Sequence, residues 1–193
     1  MVTWINTHWA KIGFFWGTAV LINLFTSELL YTNIQFLVWA HLSALLFHQF
    51  EEYALPGGFK KFYNENISGK SPLTTCELNN TGVLTVNVVL GWSAYLFSAI
   101  YYKNLLWLNL GLALITLVNG FLHILIAIVK HKYNPGLITS IFFLFPFGLY
   151  FTCRLGNIII TTVSTTLPYA IITLITGLLL IPTIIFFSSK WKG

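Results

Sequence analysis

Charge is what this chain has least of. Only 8% of its 193 residues are charged and 56% are apolar, whereas a soluble domain carries about 25% charged residues. Aspartate is absent, and the five acidic residues are all glutamate. Such a composition excludes a domain built for water. The formal charge of +5 is no nucleic-acid footprint either, because the lysines are scattered at the ends of apolar runs instead of forming one patch. Cysteine is scarce as well. Cys76 and Cys153 lie far apart and form no CxxC, which excludes a disulfide framework or a zinc knuckle. There is no H-E-x-x-H, so the zincin helix is missing. Five histidines are too few for the histidine-rich membrane di-iron hydroxylases and desaturases.

Long apolar runs are abundant. Six reach the length needed to cross a bilayer once their flanks are included, near residues 12–27, 34–50, 82–102, 105–129, 137–153 and 167–187. Runs this continuous are helices, because lipid offers no partner for open backbone groups. The run after Lys11 is signal-like but is followed by no A-x-A site, so it is kept as a helix. The expectation is an all-α, polytopic membrane helix bundle of about six transmembrane helices, forming one domain over residues 1–193. Its long connection, 56–81, places Phe59, Phe62 and Tyr63 beside Lys60 and Lys61, a pattern suited either to the headgroup region or to a plain loop.

Six spans put both termini on one side. That side then holds Lys11, Lys60, Lys61, Lys70, Lys130, Lys132, Lys190 and Lys192, and the other holds Lys103 and Arg154. Eight basic residues against two predict that both termini and the 56–81 loop are cytoplasmic. The sequons at Asn66-Ile67-Ser68 and Asn79-Asn80-Thr81 would then face the cytosol and stay unused.

Against this apolar background, His48-Gln49-Phe50-Glu51-Glu52 stands out. An imidazole is followed three and four residues later by two carboxylates, which share its face on a helix. Groups of this kind are costly near a bilayer, and function is the usual reason they persist. Imidazole and carboxylate are normal zinc ligands. One glutamate could instead orient the imidazole or act as a general base, and a solvated helix end is the bland alternative. Topology places His48 near the cytoplasmic end of the second span and His41 two turns deeper. His123 lies about 10 Å before Lys130 along the fourth span, at a depth matching His48. Glu51 and Glu52 are the catalytic candidates, and His48, Glu52 and His123 the metal ligands. His41 is a third nitrogen or a donor behind the site. Asn87 and Asn119 either support the site or hydrogen-bond between helices. His131 is a reserve ligand.

These residues resemble the HXXEE-domain membrane proteins, marked by H-x-x-E-E, a second histidine and Y-x-P-G. The chain supplies His48, Glu51 and Glu52, then His123, then Tyr133-Asn134-Pro135-Gly136. The resemblance implies that these residues matter together; it carries no activity. Two other likenesses are slighter. Glu51-Glu52 begins like the E-E-x-x-x-R of intramembrane prenyl-protein endopeptidases but lacks the arginine, and Gly91-Trp92-Ser93-Ala94 matches a rhomboid serine motif over four residues only. Pro135 and Gly136 also serve simply to end one helix and aim the next, while Tyr133 can reach the site as a donor.

Three functions follow. The first is a membrane-embedded enzyme with a divalent metal, zinc by its ligands, acting on a lipid or amphiphile at the cytoplasmic leaflet. The second is a metal-free His/Glu acid–base lipid enzyme of isomerase type. The third is a small transporter or assembly subunit whose buried polar groups relay protons or fix packing.

Overall fold

The computed structural model describes residues 2–29, 33–70, 76–160 and 163–190, all helix or short connection. Helix α1 runs over Val2–Thr26 and α2 over Ile34–Tyr53, the latter opened by Asn33, whose side chain accepts from the Gln35 N–H. A short helix α3, Phe59–Asn66, occupies part of the 56–81 connection. Helix α4 spans Asn80–Ile100 and is π-helical over Thr85–Trp92. Helix α5 covers Leu106–Lys130. Helix α6 starts at Leu137–Thr139 and continues through a π-helical stretch, Ser140–Leu144, into Phe145–Ile160. Its wide turn sits directly before Pro146, where a proline ring disrupts regular α-helical bonding. Helix α7 is Val163–Lys190.

Among the described residues, four segments are long and apolar enough to cross a membrane: Asn80–Ile100, Leu106–Lys130, Leu137–Ile158 and Thr166–Lys190. The protein is therefore an integral membrane protein, with four such segments and not the six expected. The two that fall short are α1 and α2, and their polarity is the reason. Helix α1 carries Asn6, Thr7, His8 and Lys11 in its first half, and α2 carries Gln35, His41, Ser43, His48, Gln49, Glu51 and Glu52.

Packing explains how α2 tolerates this load. It lies at the centre of the bundle, against α1, α4 and the start of α6. Phe36, Leu37, Val38, Leu42, Ala44 and Leu46 are buried along with its polar residues, so no face of it is given wholly to lipid or water. Leu42 and Leu46 pack with Tyr95 and Leu112, while Phe36, Leu37 and Val38 join Phe151 and Leu155 nearer the opposite end. In lipid, helices associate by close packing and interhelical hydrogen bonds, with little hydrophobic gain. Gly120 shows the consequence: a Cβ there would stand 3.0 Å from the Phe145 nitrogen. Only a glycine lets α5 approach α6 so closely, one turn before His123.

Candidate metal centre

Three elements converge at one end of the bundle: the last turns of α2, the last two turns of α5, and the connection that turns into α6. His48, Glu52 and His123 meet there, 1%, 5% and 3% exposed. Nε2 of His48 lies 3.6 Å, and Nε2 of His123 3.4 Å, from the same oxygen, Oε1 of Glu52. The two imidazoles stand edge to face, ring centres 4.8 Å apart. One ligand atom from each residue falls within 4.8 Å of the others, so this trio could hold a metal ion.

Each member is tied to its surroundings. His48 Nδ1 lies 2.8 Å from the Thr139 hydroxyl, and Asn119 Nδ2 3.1 Å from His48 Nε2. His123 Nδ1 is 2.5 Å from Asn134 Oδ1, and the Asn134 amide donates back to the His123 carbonyl at 2.9 Å. Phe59, the first residue of α3, lays its ring 5.4 Å from that of His123 and 5.9 Å from that of Tyr53. Helix α3 thus covers one side of the site, entered through Gly57 and Gly58 at φ 73° and 94°.

Glu51 points elsewhere. Its carboxylate accepts from the Tyr133 hydroxyl at 2.8 Å, the Ile138 N–H at 2.9 Å, and both the N–H and hydroxyl of Thr139 at 2.6 and 2.5 Å. A carboxylate at the exposed N–H groups of a helix start is favourable by charge and by hydrogen bonding. Glu51 therefore anchors the first turn of α6 to the end of α2. Burial and this carboxylate together push the Tyr133 phenol above its ordinary range.

The connection 131–136 does much of the assembly. His131 ends α5 in the left-handed region at φ 49°, and Pro135 separates the two helices. Gly136, at φ 100°, passes so close that a Cβ would sit 2.6 Å from Cε1 of His123 and 2.7 Å from Cε1 of His48. The Y-N-P-G sequence thus supplies a donor to Glu51, a clamp on His123, a break, and room for both rings.

Of the residues anticipated from sequence, the fold gathers His48, Glu52, His123 and Asn119, with Glu51 and Tyr133 beside them. It does not bring in three others. His41 binds the Thr116 hydroxyl at 2.7 Å among Tyr95, Phe147 and Phe151, deeper in the bundle. Asn87 holds the Gln49 amide at 3.1 Å and the Tyr53 hydroxyl at 3.4 Å, in a network that includes Trp92. His131 is exposed at the helix end. Sequence reasoning passed over Asn134 and Thr139. Asn134 was in view as the variable letter of the tetrapeptide; Thr139 had no signal, because its role depends on where α6 begins.

A sequence model of proteins of unknown function with an HXXEE motif matches residues 39–151, from α2 through most of α6. This is more than half of the chain and contains every residue of the centre. The chain belongs to the HXXEE family. Among curated proteins and among solved structures, no match is found. The HXXEE letters themselves divide by task in this fold: His48 and Glu52 face His123, while Glu51 holds the start of α6.

Proposed function

We propose that this HXXEE protein is a membrane-embedded enzyme using a divalent metal, zinc by its donor set, on a lipid or amphiphilic substrate. One observation carries the reading. Two ligands each about 2.0–2.1 Å from a tetrahedral ion stand roughly 3.3 Å apart, and the Nε2–Oε1 separations here are 3.4 and 3.6 Å. A direct charge-assisted N–H···O contact would close to about 2.7–2.9 Å. Two imidazoles and one carboxylate also form a recurrent catalytic zinc set, which leaves a position open for water or substrate.

A bound ion of this kind supplies Lewis acidity, to activate water or polarise a carbonyl or phosphoryl oxygen. The chain's own residues do the rest. His48 and His123 present nitrogen, Glu52 presents Oε1 between them, and Phe59 and the buried walls keep bulk water away. Glu52 is the carboxylate within reach of a reacting group, since the oxygens of Glu51 are taken by four donors. The lipid assignment is supported by the setting: an apolar bundle whose centre lies at the end carrying α3, Lys60, Lys61, Lys130 and Lys132. The lysine asymmetry favours the cytoplasmic leaflet for that end.

Metal analysis of purified protein tests the proposal. We expect about one equivalent of bound divalent ion, lost in Glu52→Gln and His48→Ala proteins that remain helical and monodisperse. A folded wild-type protein that neither carries nor takes up an ion would overturn it. The burial of two imidazoles with one carboxylate also suits a second reading, metal-free acid–base chemistry in which these groups exchange protons with a lipid. That reading predicts activity insensitive to chelators but dependent on Glu52.

A further inference from the structure

Glu51 reaches His48 only through Thr139, yet it is the better held of the two glutamates. The Thr139 hydroxyl has one proton and three neighbours: Glu51 Oε2 at 2.5 Å, the Gly136 carbonyl at 3.2 Å and His48 Nδ1 at 2.8 Å. A carboxylate is the strongest acceptor of the three, and its contact is the shortest. The hydroxyl therefore donates to Glu51, and its oxygen lone pair is left to accept from His48. That fixes the proton of neutral His48 on Nδ1 and leaves the lone pair on Nε2, the nitrogen that faces Glu52 and accepts from Asn119. His123 is arranged in parallel. The Asn134 amide nitrogen is committed to the His123 carbonyl, so its oxygen faces the ring, accepts from the Nδ1–H, and leaves Nε2 unprotonated toward Glu52.

We propose that Glu51 is a positioning residue for the centre, acting through the Thr139 hydroxyl to hold His48 as the Nδ1–H tautomer, whose unprotonated Nε2 a metal can take over from Asn119. The inference rests on the metal reading for its purpose and on the hydrogen-bond chain for its content. It gives the two adjacent glutamates different tasks: Glu52 touches what is bound, and Glu51 sets the tautomer of its neighbour. Partners behind a metal-bound histidine generally act in this way, fixing ring orientation and proton position.

The test uses full-length protein with ¹⁵N-labelled histidine, first free of metal and then titrated with zinc or cobalt(II). Metal-free wild type should show His48, assigned by its loss in His48→Ala, as the Nδ1–H tautomer. Glu51→Ala removes the acceptor that takes the Thr139 proton and frees that hydroxyl to turn toward His48 Nδ1. The ring should then move to the Nε2–H tautomer, and metal affinity should fall about 10–100-fold. Thr139→Val should reproduce the loss, and Thr139→Ser, which restores a hydroxyl, should recover most of it. Glu51→Ala and Thr139→Val proteins that stay folded with unchanged tautomer and affinity would overturn the proposal. The two readings fail separately. A tautomer that responds in a wild-type protein that binds no ion sinks the metal centre alone. An ion bound with an unresponsive tautomer sinks the role of Glu51 alone.

Discussion

Replacing Gly136 by alanine adds one methyl group to the most crowded backbone position in the centre. The new Cβ would stand 2.6 Å from His123 Cε1, 2.7 Å from His48 Cε1 and 2.9 Å from His123 Nδ1, where carbon contacts settle at about 3.5–4.0 Å. Both imidazoles must therefore retreat by roughly an ångström, or the connection must move away from them. Two costs add. Holding a non-glycine residue at φ 100° costs about 1–3 kcal/mol, and forcing a methyl into a packed site costs about 1–3 kcal/mol more. The sum is roughly 2–6 kcal/mol, a large part of an ordinary folding free energy. Gly69 provides the control. It also has positive φ, at 70°, but a Cβ there meets nothing within 4 Å. Gly69→Ala should cost only the backbone term, about 1–2 kcal/mol. Thermal unfolding of the two variants in the same detergent, followed by zinc titration, separates strain from crowding. Gly136→Ala should melt well below Gly69→Ala and bind metal at least tenfold more weakly. Equal melting temperatures, or a Gly136→Ala protein with wild-type affinity, would refute the claim that this glycine makes room for the two rings.

Excess divalent ion should stabilise wild type by about 2.7 kcal/mol at a hundred times its dissociation constant; a melting temperature that rises as much in Glu52→Gln would show binding somewhere else. Tyr133→Phe removes one donor to Glu51 and should cost about 1 kcal/mol at neutral pH. Because burial and Glu51 hold the Tyr133 phenol above its ordinary range, the unfolded chain releases that proton first and stability falls as pH rises beyond about 10. The fall should be shallower in Tyr133→Phe, and parallel pH–melting curves would contradict this. Removing the ring that covers His123, by Phe59→Ala, should speed the stripping of bound metal by chelator severalfold with little change in affinity, and an unchanged rate would mean that α3 does not guard the site.

The helical, membrane-embedded character of the protein was legible from its letters, because a shortage of charge and a supply of long apolar runs leave lipid as the only suitable solvent. The pairing of His48 with His123 was legible too. Helical rise converts sequence position into depth, and two residues at one depth are free to meet. Periodicity also placed Glu51 and Glu52 on the face of His48, but a single turn of helix cannot say which of two adjacent carboxylates turns inward. The number of membrane-crossing segments was read too high, since α1 and α2 hold apolar runs of spanning length but carry too many polar residues among them.

What the amino-acid sequence determined by itself is the solvent, the helices, and the residues able to form a centre. Tertiary structure alone decided the division of labour. Glu51 is drawn to the start of α6 because N–H groups without partners are exposed there, Glu52 is left between two imidazoles, and His41 and Asn87 are turned to other partners. Those outcomes depend on the angle at which α6 leaves Pro135-Gly136 and on how closely α5 packs against it. Contacts between residues some ninety positions apart have no local signature, because they arise only when separate helices come to share one end of the bundle.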